Sequence, residues 1–190
     1  GVDYLAVACA DEGVLLRERG ITMPVVVLNA DADSFDAMAA NRLEPEIYSL
    51  RSLHEFAAAV ERYGEQRYPI HVKLDTGMHR LGFVEEELPA LLDALARYGR
   101  TVRVASVFAH LCTSDDPAQD DFTRLQIARF DRMSSRIAEA LSYPVLRHTA
   151  NSAAIERFPE AQYDMCRLGL GLYGFGFEHN AALCPVSTLR

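Results

Sequence analysis

The chain has very little lysine and carries an excess of acidic side chains. Of the 19 lysine and arginine residues among 190, only Lys73 is a lysine, and the formal net charge is −8. Because affinity for a nucleic-acid backbone comes mainly from clustered lysine and arginine, this balance argues against nucleic acid as a partner. The lone lysine lies in HVKLDTGMHRLGF, which begins like a strand and ends in a glycine turn. It is a candidate catalytic residue, and the alternatives are a structural charge or an auxiliary role.

Long apolar runs and paired cysteine motifs are also absent. No window approaches the roughly 18 uncharged apolar residues that a membrane span needs, so the sequence predicts none. The four cysteines are scattered without a CxxC pair, which indicates reduced thiols in a cytoplasmic protein. The sequence opens on GVDYLAVACADEG, with neither a signal peptide nor an initiator methionine. We therefore interpret it as an internal part of a longer protein.

Apolar segments rich in β-branched residues alternate with longer amphipathic segments. The apolar segments predict seven strands, at Tyr4–Ala8, Val25–Asn29, Glu46–Ser49, Ile70–Asp75, Val102–Ala109, Leu146–Ala150 and Asp164–Tyr173. The segments between them predict six helices, at Asp11–Arg19, Ser34–Asn41, Ser52–Tyr63, Glu85–Tyr98, Gln119–Leu141 and Asn151–Phe158. A helix after each of the first six strands predicts a parallel sheet with right-handed crossovers.

Polar residues gather at the carboxyl ends of several predicted strands rather than at one. A doubly wound sheet concentrates its site at a single switch point, whereas a (β/α)₈ barrel of the TIM type collects residues from many strand ends. The pattern therefore favours an incomplete barrel with about seven of its eight strand–helix units.

Four motifs, HVKLDTGMHRLGF, VFAHLCTSDD, HTANSAA and CRLGLGLYGF, resemble in this order those of alanine racemases, fold-type III enzymes that use pyridoxal 5'-phosphate (PLP). The resemblance extends over nearly the whole chain. It implies a PLP-binding barrel domain at residues 1–182 that lacks its first strand, and the start of a truncated C-terminal β domain at residues 183–190. The stretch from DDFTRLQIARF to RHTANSAAIERFPEAQYDM further resembles the racemase half of fusions with a cell-wall peptide ligase.

Asn151 and Ser152 follow a predicted strand and open a short predicted helix. Both residue types are preferred helix N-caps, and free N–H groups at a helix N-terminus bind phosphate, although a plain cap accounts for the same pattern. Barrel phosphate sites are commonly built after the seventh and eighth strands, and Gly169 allows a close backbone approach. The resemblance implies that Ser152, Gly169 and Leu170 hold the PLP phosphate, with Asn151 nearby.

Three further residues are implied to contact the cofactor. Arg167 lies in an apolar segment and needs a partner there, so an ion pair with a core acid is the alternative to a site role. The resemblance places it opposite the PLP ring nitrogen. Arginine keeps its proton, which leaves the ring a weaker electron sink and favours racemisation over decarboxylation. His110, otherwise a core histidine, is implied to orient the cofactor, and Leu28 to make an apolar contact that core packing would equally explain.

Arg80 and Lys73 are implied to orient substrate and cofactor. By resemblance Arg80 bonds the phenolic oxygen of PLP and helps to seat the substrate carboxylate, which suits a forked donor; the alternative is a surface arginine after a turn. Lys73 matches an auxiliary lysine, carbamylated in some family members, that is expected to orient Arg80. The Schiff-base lysine and the opposing tyrosine of the family are expected outside this chain, which leaves no catalytic residue within it. Asp115 and Asp116 lack a further ligand at metal-binding spacing, so no metal site is predicted.

The resemblance implies that the parent protein interconverts L-alanine and D-alanine for peptidoglycan synthesis, as a cytoplasmic homodimer. The isolated chain is expected to be inactive and to bind PLP non-covalently or not at all. A non-catalytic PLP carrier and a PLP-barrel amino-acid decarboxylase are the alternatives. Because open strand edges pair with other chains, the edges at Tyr4–Ala8 and Asp164–Tyr173 also predict an edge-mediated oligomer.

Overall fold

The computed structural model describes residues 1–177 and 182–186, so the predicted domain start at 183–190 lies partly outside the described residues. The chain divides into two compact units. The first unit comprises Gly1–Leu74 and Leu81–Val107, and the second comprises Asp75–Arg80 together with the chain from Phe108 onward. The short segment Asp75–Arg80 therefore belongs to a different unit from the strand that precedes it.

The first unit alternates strands with helices. Its strands are β1 (Leu5–Val7), β2 (Val25–Val27), β3 (Glu44–Ile47), β4 (Tyr68–Lys73) and β5 (Val102–Phe108, whose last residue opens the second unit). Its helices are α1 (Ala10–Glu18), α2 (Phe35–Ala40), α3 (Leu50–Arg62) and α4 (Leu88–Arg97). Neighbouring strands are parallel, with Leu5 opposite Val25 and Glu46 opposite His71.

Local sequence explains why these elements form. All three valines of β2 are buried, as expected of a strand covered on both faces. At the start of α3, the Ser49 hydroxyl accepts a hydrogen bond from the N–H of Ser52, and the Ser52 hydroxyl accepts one from the N–H of Ser49. These two bonds satisfy N–H groups that have no partner within the helix. Phe56 of α3 is inaccessible and meets the rings of Phe35 and Tyr68 edge-on. Aromatic packing of this kind fixes α3 on the sheet.

One face of β3 and β4 is polar although it is buried. Glu44 and Glu46 alternate along β3, and the parallel register puts them on the same face as His71 and Lys73 of β4. His71 is inaccessible; its Nε2 lies 2.7 Å from Glu44 Oε2 and its Nδ1 lies 2.6 Å from Ser106 Oγ on β5. A buried histidine with both ring nitrogens paired therefore links three adjacent strands.

The second unit contains β6 (Leu146–His148), the long helix α5 (Asp120–Ala140) and the short helix α6 (Ser152–Arg157). Ala109, directly after β5, donates its N–H to the carbonyl of His148. The core of the unit consists of Leu111, Ile127, Ala150, Ala154, Phe158 and Ala161. No helix within the described residues is long and apolar enough to cross a membrane.

Six of the seven predicted strands are confirmed, with ends that shift by at most two residues, but the prediction of a strand at Asp164–Tyr173 is wrong. That segment is joined to the chain around β6 by two backbone hydrogen bonds. The N–H of Asp164 donates to the carbonyl of Arg147, and the N–H of Arg167 donates to the carbonyl of Ala150. After Gly169 it turns into a 3-10 helix, Leu170–Tyr173. Its leucines are about half exposed or more, so the alternating pattern has no layer to pack against. The second predicted strand edge is therefore not present in the described chain.

We predict that replacing His71 by leucine lowers the free energy of unfolding by about 3 kcal/mol, because it leaves the buried Glu44 carboxylate without its partner. The measurement is urea denaturation of the 190-residue chain. His79→Leu is the matched control, since the His79 side chain is 78% exposed and its loss is expected to cost less than about 0.5 kcal/mol. The double variant His71→Leu with Glu44→Leu should recover much of the loss. A loss below about 1 kcal/mol for the single variant would contradict this account.

Candidate functional site

Asn151 is the N-cap of α6 and is held by three hydrogen bonds. Its Oδ1 accepts from the N–H of Ala154 (3.0 Å) and from the hydroxyl of Ser114 (2.9 Å), and its Nδ2 donates to the carbonyl of Leu111 (3.0 Å). The first contact is the cap expected from the sequence. The other two fix the start of α6 to the loop that follows β5, so the cap is also a tertiary anchor.

The hydroxyl of Ser152 is the point at which the α6 start and the Gly169–Gly171 turn meet. Its Oγ accepts from the N–H groups of Gly169 and Gly171, both at 3.1 Å. A hydroxyl has two acceptor lone pairs and one proton, so the Ser152 proton remains available for a further acceptor. A Cβ added at Gly169 would meet nothing within 4 Å, which leaves space beside this group of donors. The Ser152 proton suits an anionic acceptor, such as an oxygen of a phosphate ester.

Arg167 is fixed by the carbonyl ends of two strands. Its Nη2 donates to Ala109 O (2.8 Å) and Thr149 O (3.0 Å), and its Nη1 lies 2.8 Å from Nδ1 of His148 and 3.3 Å from the carbonyl oxygen of that residue. Arginine carries only donors, so His148 Nδ1 must be the unprotonated nitrogen of its ring. The His148 ring also stacks on Phe108 at 4.9 Å. The guanidinium is therefore a positive charge held in one orientation by strand-end carbonyls and the His148 ring.

The segment Asp75–Arg80 forms a capped turn. Asp75 Oδ1 accepts from the N–H groups of Gly77 (2.9 Å) and His79 (3.1 Å). Burial raises the pKa of Asp75, but these two backbone bonds and the His79 ring outweigh it and hold that pKa below its usual value. Gly77 has φ of 133°, and a Cβ there would lie 3.1 Å from both Phe122 and Arg129 of α5, so the turn requires glycine. Arg80, at the end of this turn, is exposed.

Gln126 of α5 joins the turn to the loop after β5. Its side chain is inaccessible, its Oε1 accepts from Cys112 N (3.1 Å), and its Nε2 lies 3.2 Å from the carbonyl of His110 and 3.5 Å from Thr76 Oγ1. The sequence did not single it out, since a glutamine inside an amphipathic helix carries no motif. Its burial shows that α5 sets the backbone position of His110.

Lys73 and Leu28 lie in the first unit. Lys73 ends β4, is 7% exposed, and has its Nζ 3.7 Å from Oε1 of Glu46. That carboxylate oxygen is buried and has no hydrogen-bond partner among the described residues. Leu28 directly follows β2, is half-buried, and donates its N–H to Val7 O. Sequence reasoning missed Glu46, although its i, i+2 spacing from Glu44 placed two acids on one face of a strand.

The structure thus brings together Asn151, Ser152 and Gly169, and fixes Arg167 at the adjacent strand ends. Leu170 begins the 3-10 helix of the turn and is 68% exposed. Asp116, considered above for a metal, instead caps a short 3-10 helix by accepting from Ala118 N. The roles inferred for His110, Arg80, Lys73 and Leu28 stay predictions.

Parallel strands and helices in chain order, with polar groups at the carboxyl ends of the strands, define a β/α-barrel type of domain. The family model described as alanine racemase, N-terminal domain, matches residues 1–176. The chain belongs to this family, whose domain is a barrel of the TIM type. The prediction of an incomplete barrel is confirmed, with six strands in place of seven.

Relatives and solved structures agree with this assignment. Alanine racemases of Symbiobacterium thermophilum and Synechocystis sp. are each 38% identical to this chain, over all of it and over 51% and 52% of their own lengths. The structure of alanine racemase of Clostridium difficile 630 in complex with cycloserine gives a TM-score of 0.87 at 30% identity, covering 97% of this chain and 51% of that one. That of Streptomyces coelicolor A3(2) gives 0.88 at 25%, covering 98% and 52%. The chain therefore spans about half the length of the relatives it matches.

We predict that Lys73 does not react with PLP, because its amine is buried and paired with the Glu46 carboxylate, a contact that it would have to give up to attack an aldehyde. The measurement is borohydride reduction of the chain mixed with PLP, followed by peptide mapping. The amine of Gly1 is exposed and serves as the internal positive control. Intact-mass measurement in bicarbonate buffer tests in the same sample whether Lys73 takes up carbon dioxide. A reduced pyridoxyl group on Lys73 would make it a Schiff-base lysine and contradict the auxiliary role.

Proposed function

We propose that this chain is the PLP-binding barrel part of an alanine racemase that interconverts L-alanine and D-alanine. The observation that carries the proposal is the Ser152 hydroxyl, whose oxygen is held by N–H groups of the Gly169–Gly171 turn and whose proton remains available, together with the fixed cation of Arg167. Membership of the alanine racemase N-terminal family supports it. The product would serve peptidoglycan synthesis in the cytoplasm, and the complete enzyme would be a homodimer.

The chain's own residues fit the phosphate of PLP. We assign Ser152, Gly169 and Leu170 to the phosphate, with Asn151 holding the start of α6 in place. The Ser152 proton supplies a hydrogen bond without adding a competing full charge. A phosphate ester can accept several such bonds at once, which makes the interaction stronger than that of a neutral ligand.

Arg167 selects the kind of chemistry. When bound, PLP supplies an electron sink for the amino acid at Cα. Arg167 is assigned to its ring nitrogen, where a side chain that keeps its own proton leaves that sink weaker. Removal and return of the Cα proton is then favoured over loss of carbon dioxide. Four donor contacts hold the guanidinium in place, so no side-chain reorganisation is needed when the ligand enters.

The remaining assignments follow the family resemblance. Arg80 is assigned to the substrate carboxylate and the phenolic oxygen of PLP, Lys73 and His110 to orienting roles, and Leu28 to an apolar contact. We propose that neither proton-transferring residue is among the 190 residues, since the one lysine is the auxiliary Lys73. The chain alone is then inactive.

Activity is tested on the full-length protein that contains this sequence. With PLP and L-alanine, chiral chromatography is expected to show D-alanine, and none with the 190-residue chain alone. Full-length protein that releases carbon dioxide would instead be a decarboxylase. Protein that retains PLP but converts no amino acid would be a carrier. Either result overturns the proposal.

The phosphate assignment is tested separately by comparing PLP with pyridoxal, which lacks the phosphate. Ser152→Ala removes one hydrogen bond to a charged group, a loss of about 1.5 kcal/mol or more, so PLP affinity should fall roughly tenfold. Pyridoxal affinity should stay unchanged. Fluorescence titration of the chain measures both, and Ser142→Ala, at an exposed serine of the same unit, is the matched control. An equal loss for both ligands would remove Ser152 from the phosphate site.

A further inference from the structure

Helix α6 carries Ser152 at its first position but is too short to fix its own direction. It has six residues, whereas isolated helices shorter than about 12 residues are marginal in water. The position of the Ser152 hydroxyl must therefore depend on what holds α6 in the fold. A displacement of about 1 Å in such a group is enough to weaken a hydrogen-bonded ligand substantially.

Both ends of α6 are held by the chain that runs from β5 into α5. At the start of α6, Asn151 bonds the carbonyl of Leu111 and the hydroxyl of Ser114. At its end, Arg157 donates from Nη1 to the carbonyl of Ser114 (2.7 Å) and from Nη2 to Oδ1 of Asp120 (2.6 Å). Ser114 thus contacts the first and the last residue of the helix region, one through its side chain and one through its backbone.

The contact between Arg157 and Asp120 is partly shielded from water. The Arg157 side chain is 11% exposed and that of Asp120 27%. The guanidinium also lies over the rings of Phe158 (5.0 Å) and Phe177 (4.6 Å). An arginine that is both paired and enclosed by two rings has little freedom to move. It therefore transmits the position of α5 to α6 more rigidly than an exposed pair would.

The segment that follows the Gly169–Gly171 turn is attached to the same helix. Phe177 donates its N–H to Glu156 Oε1 (3.0 Å), one residue before Arg157. The turn is consequently bonded to α6 at Ser152 and again near Arg157. A rotation of the helix about its axis would move both attachments together.

We infer that the Asp120–Arg157 ion pair is a positioning element for the phosphate-binding turn, although neither residue touches the ligand. The inference rests on the proposed function, since it assumes that Ser152 and the glycine turn bind the phosphate of PLP. It assigns the ion pair a specific effect: affinity for the phosphorylated ligand depends on it, and affinity for the ligand without phosphate does not.

The experiment measures PLP and pyridoxal dissociation constants of the 190-residue chain by fluorescence titration, with melting temperatures recorded in parallel. Arg157→Gln is expected to weaken PLP about tenfold and pyridoxal less than twofold, and inorganic phosphate should compete less well with PLP. Asp120→Asn, which leaves the Ser114 and ring contacts of Arg157 intact, should weaken PLP several-fold. Asp131→Asn is the matched control, because the Asp131–Arg147 pair at 2.7 Å also starts from α5 but ends on β6. It should leave the PLP-to-pyridoxal ratio unchanged.

The outcomes separate the inference from the proposed function. If the unaltered chain does not prefer PLP to pyridoxal, the proposed phosphate site fails and the inference fails with it. If it does prefer PLP and both Arg157→Gln and Asp120→Asn keep the same ratio, only the inference is overturned. A lower melting temperature with an unchanged ratio shows a purely structural pair and overturns it too. Should Arg157→Gln not fold, Asp120→Asn alone decides.

Discussion

The second unit is organised around one constraint, the need to satisfy the guanidinium of Arg167. A charged side chain that is partly withdrawn from water is costly unless its donors are paired. The pairing comes from main-chain carbonyls at the ends of two neighbouring strands, Ala109 after β5 and His148 and Thr149 at β6, and from the His148 ring. The segment carrying Arg167 is therefore tied to both strand ends without becoming a strand itself, and the Gly169–Gly171 turn that follows is held against Ser152.

Helix α5 is the second support, because it contacts the loop after β5, the Asp75–Arg80 turn and helix α6. Gln126 bonds backbone groups at His110 and Cys112, Arg129 bonds the carbonyl of Thr76, and Asp120 reaches α6. Loops at strand ends have few hydrogen bonds of their own, so their geometry depends on the rigid element they lie on. A 21-residue helix packed on the core provides such an element, and the chemistry of the loops can differ while their positions stay fixed.

Much of the fold could be predicted because strand and helix signals are local. In valine-rich β2 and at the capped start of α3, the residues that determine the local structure lie within a few positions of one another. Leucine alternates with glycine in the second half of Asp164–Tyr173, but a strand also needs neighbours, and these leucines lie exposed. The candidate site likewise contains some features that local sequence predicts and others that depend on distant contacts. The cap at Asn151 follows from residue type, whereas the Gln126 contact with Thr76 joins positions 50 residues apart, and no local pattern reports a contact of that kind. Arg157 is an unremarkable helix-end arginine in sequence for the same reason.

The lone lysine shows how a sequence signal changes once its surroundings are known. The spacing of Glu44 and Glu46 on β3 matches that of His71 and Lys73 on β4, so two acids face two potential bases on one buried face. Charges placed in pairs on adjacent strands offset part of the cost of burying each, but only while both partners remain. To attack an aldehyde the lysine would first have to give up its ammonium proton, which would leave Glu46, whose Oε1 has no hydrogen bond among the described residues, as a buried carboxylate without its charged partner. The arrangement that makes Lys73 tolerable inside the first unit is therefore also what opposes its use as a nucleophile.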